Sequence, residues 1–249
     1  MIHREQLAAH LRDFLRTDSF EDYGPNGLQV EGRAHIRRVV SGVTASLALI
    51  ERAVSQGADA ILVHHGWFWR GEDPCVVGQK HKRLAALIAA DINLFAYHLP
   101  LDAHHQVGNN AQLAAGMGWQ PDGRFGKQDL GWLGSAPAQE TLADLAAELT
   151  RKLERVPVLV GDPAARVGRL AWCTGAAQGW IDQAHAAGAH TYISGEISEP
   201  TAHFAREMGI AYLACGHHAT ERYGVQALGE HLARSFGIEH VFIDIDNPA

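Results

Sequence analysis

The sequence predicts an α/β protein of two pseudo-symmetric βα lobes with mostly parallel sheets, and three observations predict it. Apolar runs of strand length alternate with stretches of helical periodicity between residues 39 and 98. The alternation returns after residue 168 and continues to the end of the chain. The two runs also match each other. With Gly57 set on Gly188, GADAILVHHG aligns with GAHTYISGEI, Ile50 falls on Ile181, Ala53 on Ala184 and His65 on Glu196. Any two βα units share such an apolar pattern, but a His-to-acid spacing recurs as well: His98-x-x-x-Asp102 in the first run and His217-x-x-x-Glu221 in the second.

Residues 4–16 open the chain as a helix with Leu7, Leu11, Phe14 and Leu15 on one face. DYGPNGLQVEG follows as a loop, marked by Gly24, Pro25, Asn26 and Gly27. VVSGVT reads as a strand. SLALIERAVSQ reads as a helix with Leu47, Ile50 and Val54 at helical spacing, stopped by Gly57. ADAILVHHG and INLFAYH are strands with a helix at 84–91 between them. Residues 119–168 read as a junction, rich in Gly and Pro at first and helical over 139–153. Then come strand RLAWCTG, helix WIDQAHAAG, strand AHTYISGE, helix TAHFAREMG, strand AYLACGHH, helix ATERYGVQALGEHLARSFG and a closing strand VFIDI. The lobes are placed at 1–124 and 125–249.

Composition narrows the function. The chain of 249 residues and 27.0 kDa is long enough to bury a sizeable core without disulfides. A formal net charge of −7 and no basic run disfavour nucleic acid as the main partner. The three cysteines, Cys75, Cys173 and Cys215, form no C-x-x-C and suggest neither a disulfide framework nor a thiolate zinc site. The opening MIHREQLAAHLRDFL carries charges throughout, and no segment reaches the roughly twenty apolar residues of a membrane span, so a cytoplasmic location is expected. There is no P-loop and no G-x-S-x-G motif. The unusual count is 16 histidines, and the chemistry is sought there.

Three constellations carry it. In ILVHHG, neighbouring side chains on a strand point to opposite faces, so His64 and His65 serve one site only where the strand ends, at Gly66. Strand C-terminal ends are where open α/β sheets bind ligands. The plain alternative is one buried and one exposed histidine. In HLPLDAHH, Asp102 follows the strand end in a loop braced by Pro100; it reads as a hard ligand, an Asx turn, a helix cap or an orienting partner of a ligand histidine. In GHHATER, His217 and Glu221 stack one turn apart if a helix begins near His217, which makes a chelating pair; the alternative is a hydrogen bond on a solvated face. Three imidazoles and two carboxylates exceed one tetrahedral zinc site and suit two divalent ions, with N/O donors favouring Zn, Mn, Fe, Co or Ni. His98 remains as an orienting group, a further ligand or a general base, and the base role is carried forward. His218 has no assigned role. His104, His105, His203 and Trp67 read as pocket-lining residues or, more simply, as surface or packing residues, and Cys215 as pointing into the core.

DYGPNGLQVEG, GVTAS, ADAILVHHG, HLPLDAH, GNNAQLA, ISGEISE, GHHATER and FIDIDNP together resemble the Nif-three-like family of dinuclear metal-centre proteins, also described as GTP cyclohydrolase I type II homologues. The resemblance spans nearly the whole chain; at 119–168 longer relatives insert an extra domain. It implies a two-metal centre on His64, His65, Asp102, His217 and Glu221, lying between two interlinked lobes, in a toroidal homohexamer. The expected function is a metal-dependent hydrolase acting on a small molecule. The alternative is a non-catalytic role in metal storage or delivery, or as a partner-binding scaffold.

Overall fold

The computed structural model describes residues 1–249, which divide into two units: Met1–Gly108 with Gly224–Asp246, and Asn109–Tyr223 with Asn247–Ala249. In the first unit β1 (Ile2–His3) leads into α1 (Arg4–Leu15), which buries Leu7, Leu11 and Leu15 at helical spacing. DYGPNGLQVEG is not loop throughout. Its second half forms β2 (Gly27–Val30), the sheet's edge, and β3 (His35–Ile36) pairs back on β1. Next come β4 (Arg38–Thr44) and α2 (Leu47–Ser55), whose first turn is capped by Ser46 Oγ accepting from the Leu49 amide at 3.2 Å. Leu49, Ile50 and Ala53 form the buried face of α2; Val54, expected there, is exposed because it lies at the flank of that face, beyond Ile50.

β5 (Ala60–His65) is the central strand. α3 (Gly78–Ala89) begins earlier than expected: GQKHKR has no apolar periodicity to read, yet Gln, Lys and Arg are good helix formers on a solvated face. β6 (Asn93–Ala96) runs into α4 (Leu99–Ala103). Asp102 therefore sits in a short helix, not a loop. Pro100 suits its first turn, and the His98 carbonyl accepts from the amides of Leu101 and Asp102 at 2.8 and 3.2 Å. β5 is covered on both faces. Ala60 and Leu62 join the cluster of Leu7, Leu11 and Leu228, while Ile61 and Val63 join that of Leu49, Ile50 and Leu94.

The second unit opens with α5 (Asn109–Met117), β7 (Gln120–Phe125), β8 (Gly131–Ser135), α6 (Leu142–Leu153) and β9 (Val158–Val160). Thr141 and Asp144 form a capping box on α6, which buries Leu142, Leu145, Leu149 and Leu153. β10 (Leu170–Cys173), α7 (Ile181–Ala186), β11 (Thr191–Ser194), α8 (Glu199–Met208) and β12 (Ala211–Ala214) follow the expected alternation. The aligned pairs hold equivalent places: Ile50 and Ile181 are buried, as are Ala53 and Ala184, and Gly57 and Gly188 both take positive φ after their helices. The six-stranded sheet runs β7-β8-β10-β11-β12-β9.

That sheet corrects the expectation of mostly parallel strands. Only β10–β11 and β11–β12 pair in parallel; β7–β8, β8–β10 and β9–β12 are antiparallel. The added strands come from 119–168, where glycines conceal β7 and β8 and β9 is only three residues long. At Gly134 a Cβ would collide with the Gln120 carbonyl across the β7–β8 pair, so glycine is what permits this strand. α9 (His217–Phe236) begins in the second unit and ends in the first, where Val225, Leu228 and Leu232 are buried beside Leu7 and Leu11. β13 (Glu239–Phe242) then pairs in parallel with β4, giving a sheet of order β13-β4-β5-β6-β2 that is parallel except at β2. No helix is long and apolar enough to cross a membrane.

Candidate metal centre

In the first unit, β5 delivers two adjacent imidazoles at its C-terminal end. Gly66 follows, and a Cβ there would collide with the Gln29 side chain and lie 2.5 Å from Ala96 Cβ. Gln29 uses the space to accept from the Trp67 amide at 2.7 Å and to donate to the Trp67 carbonyl at 3.1 Å, which pins the turn. Trp67 is a packing residue, its Nε1 donating to the Ala45 carbonyl.

The His64 and His65 rings lie 4.5 Å apart. His64 is fully buried, and its Nδ1 is 3.0 Å from the Tyr97 carbonyl. A carbonyl only accepts, so Nδ1 carries the proton and Nε2 presents the lone pair in the neutral ring. That Nε2 lies 3.5 Å from Asp102 Oδ2. The separation matches a tetrahedral edge, about 3.4 Å for ligand bonds near 2.1 Å. His65 Nδ1 is 3.1 Å from Thr44 Oγ1, its register partner on β4.

His98 stands against the same pair. Ligating atoms of His64, His65 and His98 all lie within 4.8 Å of one another. Its Nδ1 donates to Asp22 Oδ1 at 2.7 Å and its amide to Asn26 Oδ1 at 2.7 Å. Asp22 also accepts from the amides of Tyr23 and Leu99 and from Asn26 Nδ2, at 2.6, 3.0 and 2.8 Å. Burial alone would raise the Asp22 carboxyl. The His98 hydrogen bond and charge, with Asn26 and the Tyr23 amide, outweigh that and hold it at about 2. The DYGPNG turn is thus a clamp on His98, a role its turn-forming residues concealed.

In the second unit, α9 begins at His217, so the expected one-turn stacking occurs: His217 Nε2 lies 3.2 Å from Glu221 Oε2. Its Nδ1 lies 2.8 Å from Glu196 Oε1, and Gln178 Nε2 approaches Glu196 Oε2 at 3.2 Å. Burial lowers the His217 imidazole, but the two carboxylates more than reverse that and raise it to about 9. Sequence alone only aligns Glu196 with His65; the structure makes it the residue that orients His217. Asp22 and Glu196 therefore play one part twice, a carboxylate on the Nδ1 side of a site histidine, as metal-site second partners commonly do.

The glycine at the end of β10's loop frames these donors. Gly175 has φ +72°, and a Cβ on it would overlap Glu221 Oε1 and come within 3.3 Å of His217 Nε2. Thr220 Oγ1 accepts from the Gly175 amide at 3.1 Å and donates to the His217 carbonyl at 2.9 Å, tying the loop to the helix. Space is thus kept open beside the ligand atoms. Nitrogen and oxygen donors converging, with a proton on His217 whose place a cation beside Glu221 would take, and a cradle that a single methyl would fill, fit a divalent cation of the Zn, Mn, Fe, Co or Ni group.

His104 packs on Phe14 with ring centres 4.5 Å apart and stacks with His105, and His203 is exposed beside Glu199. His218 is buried, its amide donating to a main-chain oxygen of Ala249. Cys215 is wholly buried in the core, where burial pushes its thiol up to about 12.

An α/β scaffold with histidine and carboxylate donors gathered at strand ends defines the class: a protein with a candidate divalent-metal centre. The chain belongs to the Duf34/NIF3 (NGG1p interacting factor 3) family, whose profile matches residues 2–248. A Pseudomonas aeruginosa relative described as "GTP cyclohydrolase 1 type 2 homolog" is 55% identical over 239 residues, 95% of this chain and 94% of its own. Among solved structures, "protein ybgI, unknown function" superposes with a TM-score of 0.95 at 45% identity, covering 100% of both chains. A Thermus thermophilus protein, TTHA1606, gives 0.88 at 31% identity, again over 100% of both.

Proposed function

We propose that the chain is a metal-dependent hydrolase in which His64, His65, Asp102, His217 and Glu221 hold two divalent cations and His98 acts as general base. Two ions there would supply Lewis acidity toward an electrophilic carbon or phosphorus centre. The observation carrying the catalytic part is the Asp22–His98 pair. Asp22 fixes the Nδ1–H tautomer and leaves Nε2 as the basic nitrogen beside the site imidazoles. His64 is fixed in the same tautomer by the Tyr97 carbonyl and presents Nε2 as a donor. The relatives' description suggests a purine nucleotide or related heterocycle as substrate class, and the family resemblance supports a homohexamer.

The test measures metal content and turnover together on a panel of nucleotides and phosphoesters. Turnover that scales with bound metal and collapses in His98→Gln at unchanged metal content supports the reading. Full metal loading without turnover of any substrate rejects it in favour of storage or delivery. That second reading has its own support: His98 lies close enough to His64 and His65 to serve as a third imidazole ligand.

A further inference from the structure

Within the second unit, a pocket of about 300 Å³ opens at the C-terminal ends of β11 and β12. Arg155, Glu196, Ile197, Val156 and Val158 line it over a floor that includes Gly195. We propose that this pocket takes the oxyanion group of a small-molecule ligand, a phosphate or carboxylate, with Arg155 as the specificity-determining residue. Its description as a substrate pocket rests on the metal-dependent reading above; the binding itself does not.

Arg155 is the first reason. Its guanidinium makes no ion pair with any carboxylate; its hydrogen-bond partner is the Pro248 carbonyl, at 2.5 Å from Nη1. A guanidinium is always charged and prefers a forked oxyanion. The chain seats it deliberately. Gly216 has φ +93°, and a Cβ there would lie 2.6 Å from Arg155 Cδ and 2.7 Å from Nε. The glycine of the GHH motif therefore makes room for Arg155 immediately before His217.

A second donor stands beside it. The His218 amide, in the first turn of the 20-residue α9, donates to a main-chain oxygen of Ala249, the last residue, at 3.3 Å. Two chain oxygens, from Pro248 and Ala249, thus already occupy donors that an oxyanion would use, and the helix start favours negative charge. Glu196 does not oppose this, because it is matched by His217 and Gln178, and an incoming anion would displace the Ala249 oxygen, which also lines the pocket, from the His218 amide. The walls suit an apolar body on the ligand: Val156 and Val158 are 76% and 54% exposed. Through Glu196 the pocket adjoins His217, a proposed metal ligand, so a bound anion would lie beside the reactive centre.

The test titrates full-length, metal-loaded protein with phenyl phosphate and, separately, benzoate, with metal content measured on every sample. The wild type should bind at least one probe, and the preferred probe names the oxyanion. Arg155→Gln should weaken that binding at least tenfold at unchanged metal content. Arg155→Lys, which keeps the charge and the packing stem, should fall between. Equal binding by the wild type and a folded Arg155→Gln variant, or no binding of either probe by the wild type at millimolar concentration, overturns the proposal. Repeating the titration on metal-stripped protein separates the two readings: Arg155-dependent binding that survives stripping upholds the pocket whatever becomes of the metal centre.

Discussion

Asp22 Oδ1 lies 2.7 Å from His98 Nδ1, across 76 residues of chain, and the same carboxylate takes the amide of Leu99 on its other oxygen. One buried side chain thereby sets the ring, the tautomer and the backbone of His98. It also anchors the start of α4, which carries Asp102. Removing its charge should therefore be felt both in stability and in the site.

Asp22→Asn is expected to destabilise the protein by about 1.5–3 kcal/mol, the range for hydrogen bonds to a charged group. The pH dependence has a definite sign. The folded carboxyl sits at about 2 against 3.8 for the free group, so its contribution is complete above 3.8 and is lost as pH falls toward 2. Urea unfolding of the two proteins between pH 5 and 2 checks this: the gap should be widest at the upper end and close toward the lower. A constant gap across the range would refute the linkage.

The cluster around Phe14 should respond to acid in a higher window. His104 is lowered to about 4 by burial, then by His105 and His231; His10 and His231, also lowered chiefly by burial, share the cluster. An unfolded histidine takes its proton near 6.5, before the folded one does. Stability is therefore full above 6.5 and falls as pH drops from 6.5 toward 4. Metal-stripped protein isolates this effect from loss of metal. His104→Gln should flatten the fall in urea midpoint over that window, so that the variant's deficit against the wild type is larger at pH 8 than at pH 5.

Gly175 and Gly188 provide a matched pair. Both have positive φ, +72° and +85°, so alanine at either is strained by roughly 1–2 kcal/mol. Only at Gly175 would the new methyl overlap Glu221; at Gly188 it meets nothing within 4 Å. Gly175→Ala should lose at least one ion per chain by elemental analysis, and Gly188→Ala should lose none. Equal metal content in the two folded variants would remove Gly175 from the site.

Much of the site was legible because its spacings are local. His217 and Glu221 needed only a helix starting at His217, and His64 and His65 only a strand ending at Gly66. What escaped depends on contacts distant in sequence. Nothing in DYGPNG says that its aspartate meets a histidine 76 positions on, and nothing in ISGEISE says that Glu196 meets His217. Asp102 read as a loop residue because Pro100 signals a break, though proline is equally at home in a helix's first turn. In the fold, the βα alternation was plain, but of the antiparallel strands of 119–168, β7 and β8 are interrupted by Gly123, Gly131 and Gly134, and β9 is an apolar stretch of three residues, too short to read as a strand. Val54 shows the remaining error: spacing alone gives a helix face, and the sheet beneath α2 selects Leu49 and Ala53 instead.

Glu221 is expected to matter more than any other proposed ligand. It is 3% exposed, one turn beyond His217, with Oε2 on His217 Nε2 and Oε1 beside the Gly175 cradle. Its two oxygens thus face different surroundings, as a bridging carboxylate requires. Two dications held close together repel strongly where water is excluded, and the negative charge offsets that repulsion. Glu221→Gln keeps the shape and removes the charge, so at least one ion should be lost while the fold survives. His98→Gln should retain both ions if the proposed base role holds, since its ring is held through Nδ1 by Asp22 and Nε2 is then left for proton transfer. Elemental analysis and melting temperature on both variants, beside the wild type after identical loading, decide the matter. Two ions retained by Glu221→Gln would end the bridging role. One ion lost from His98→Gln would make His98 a ligand, and the base would then have to be sought elsewhere in the site.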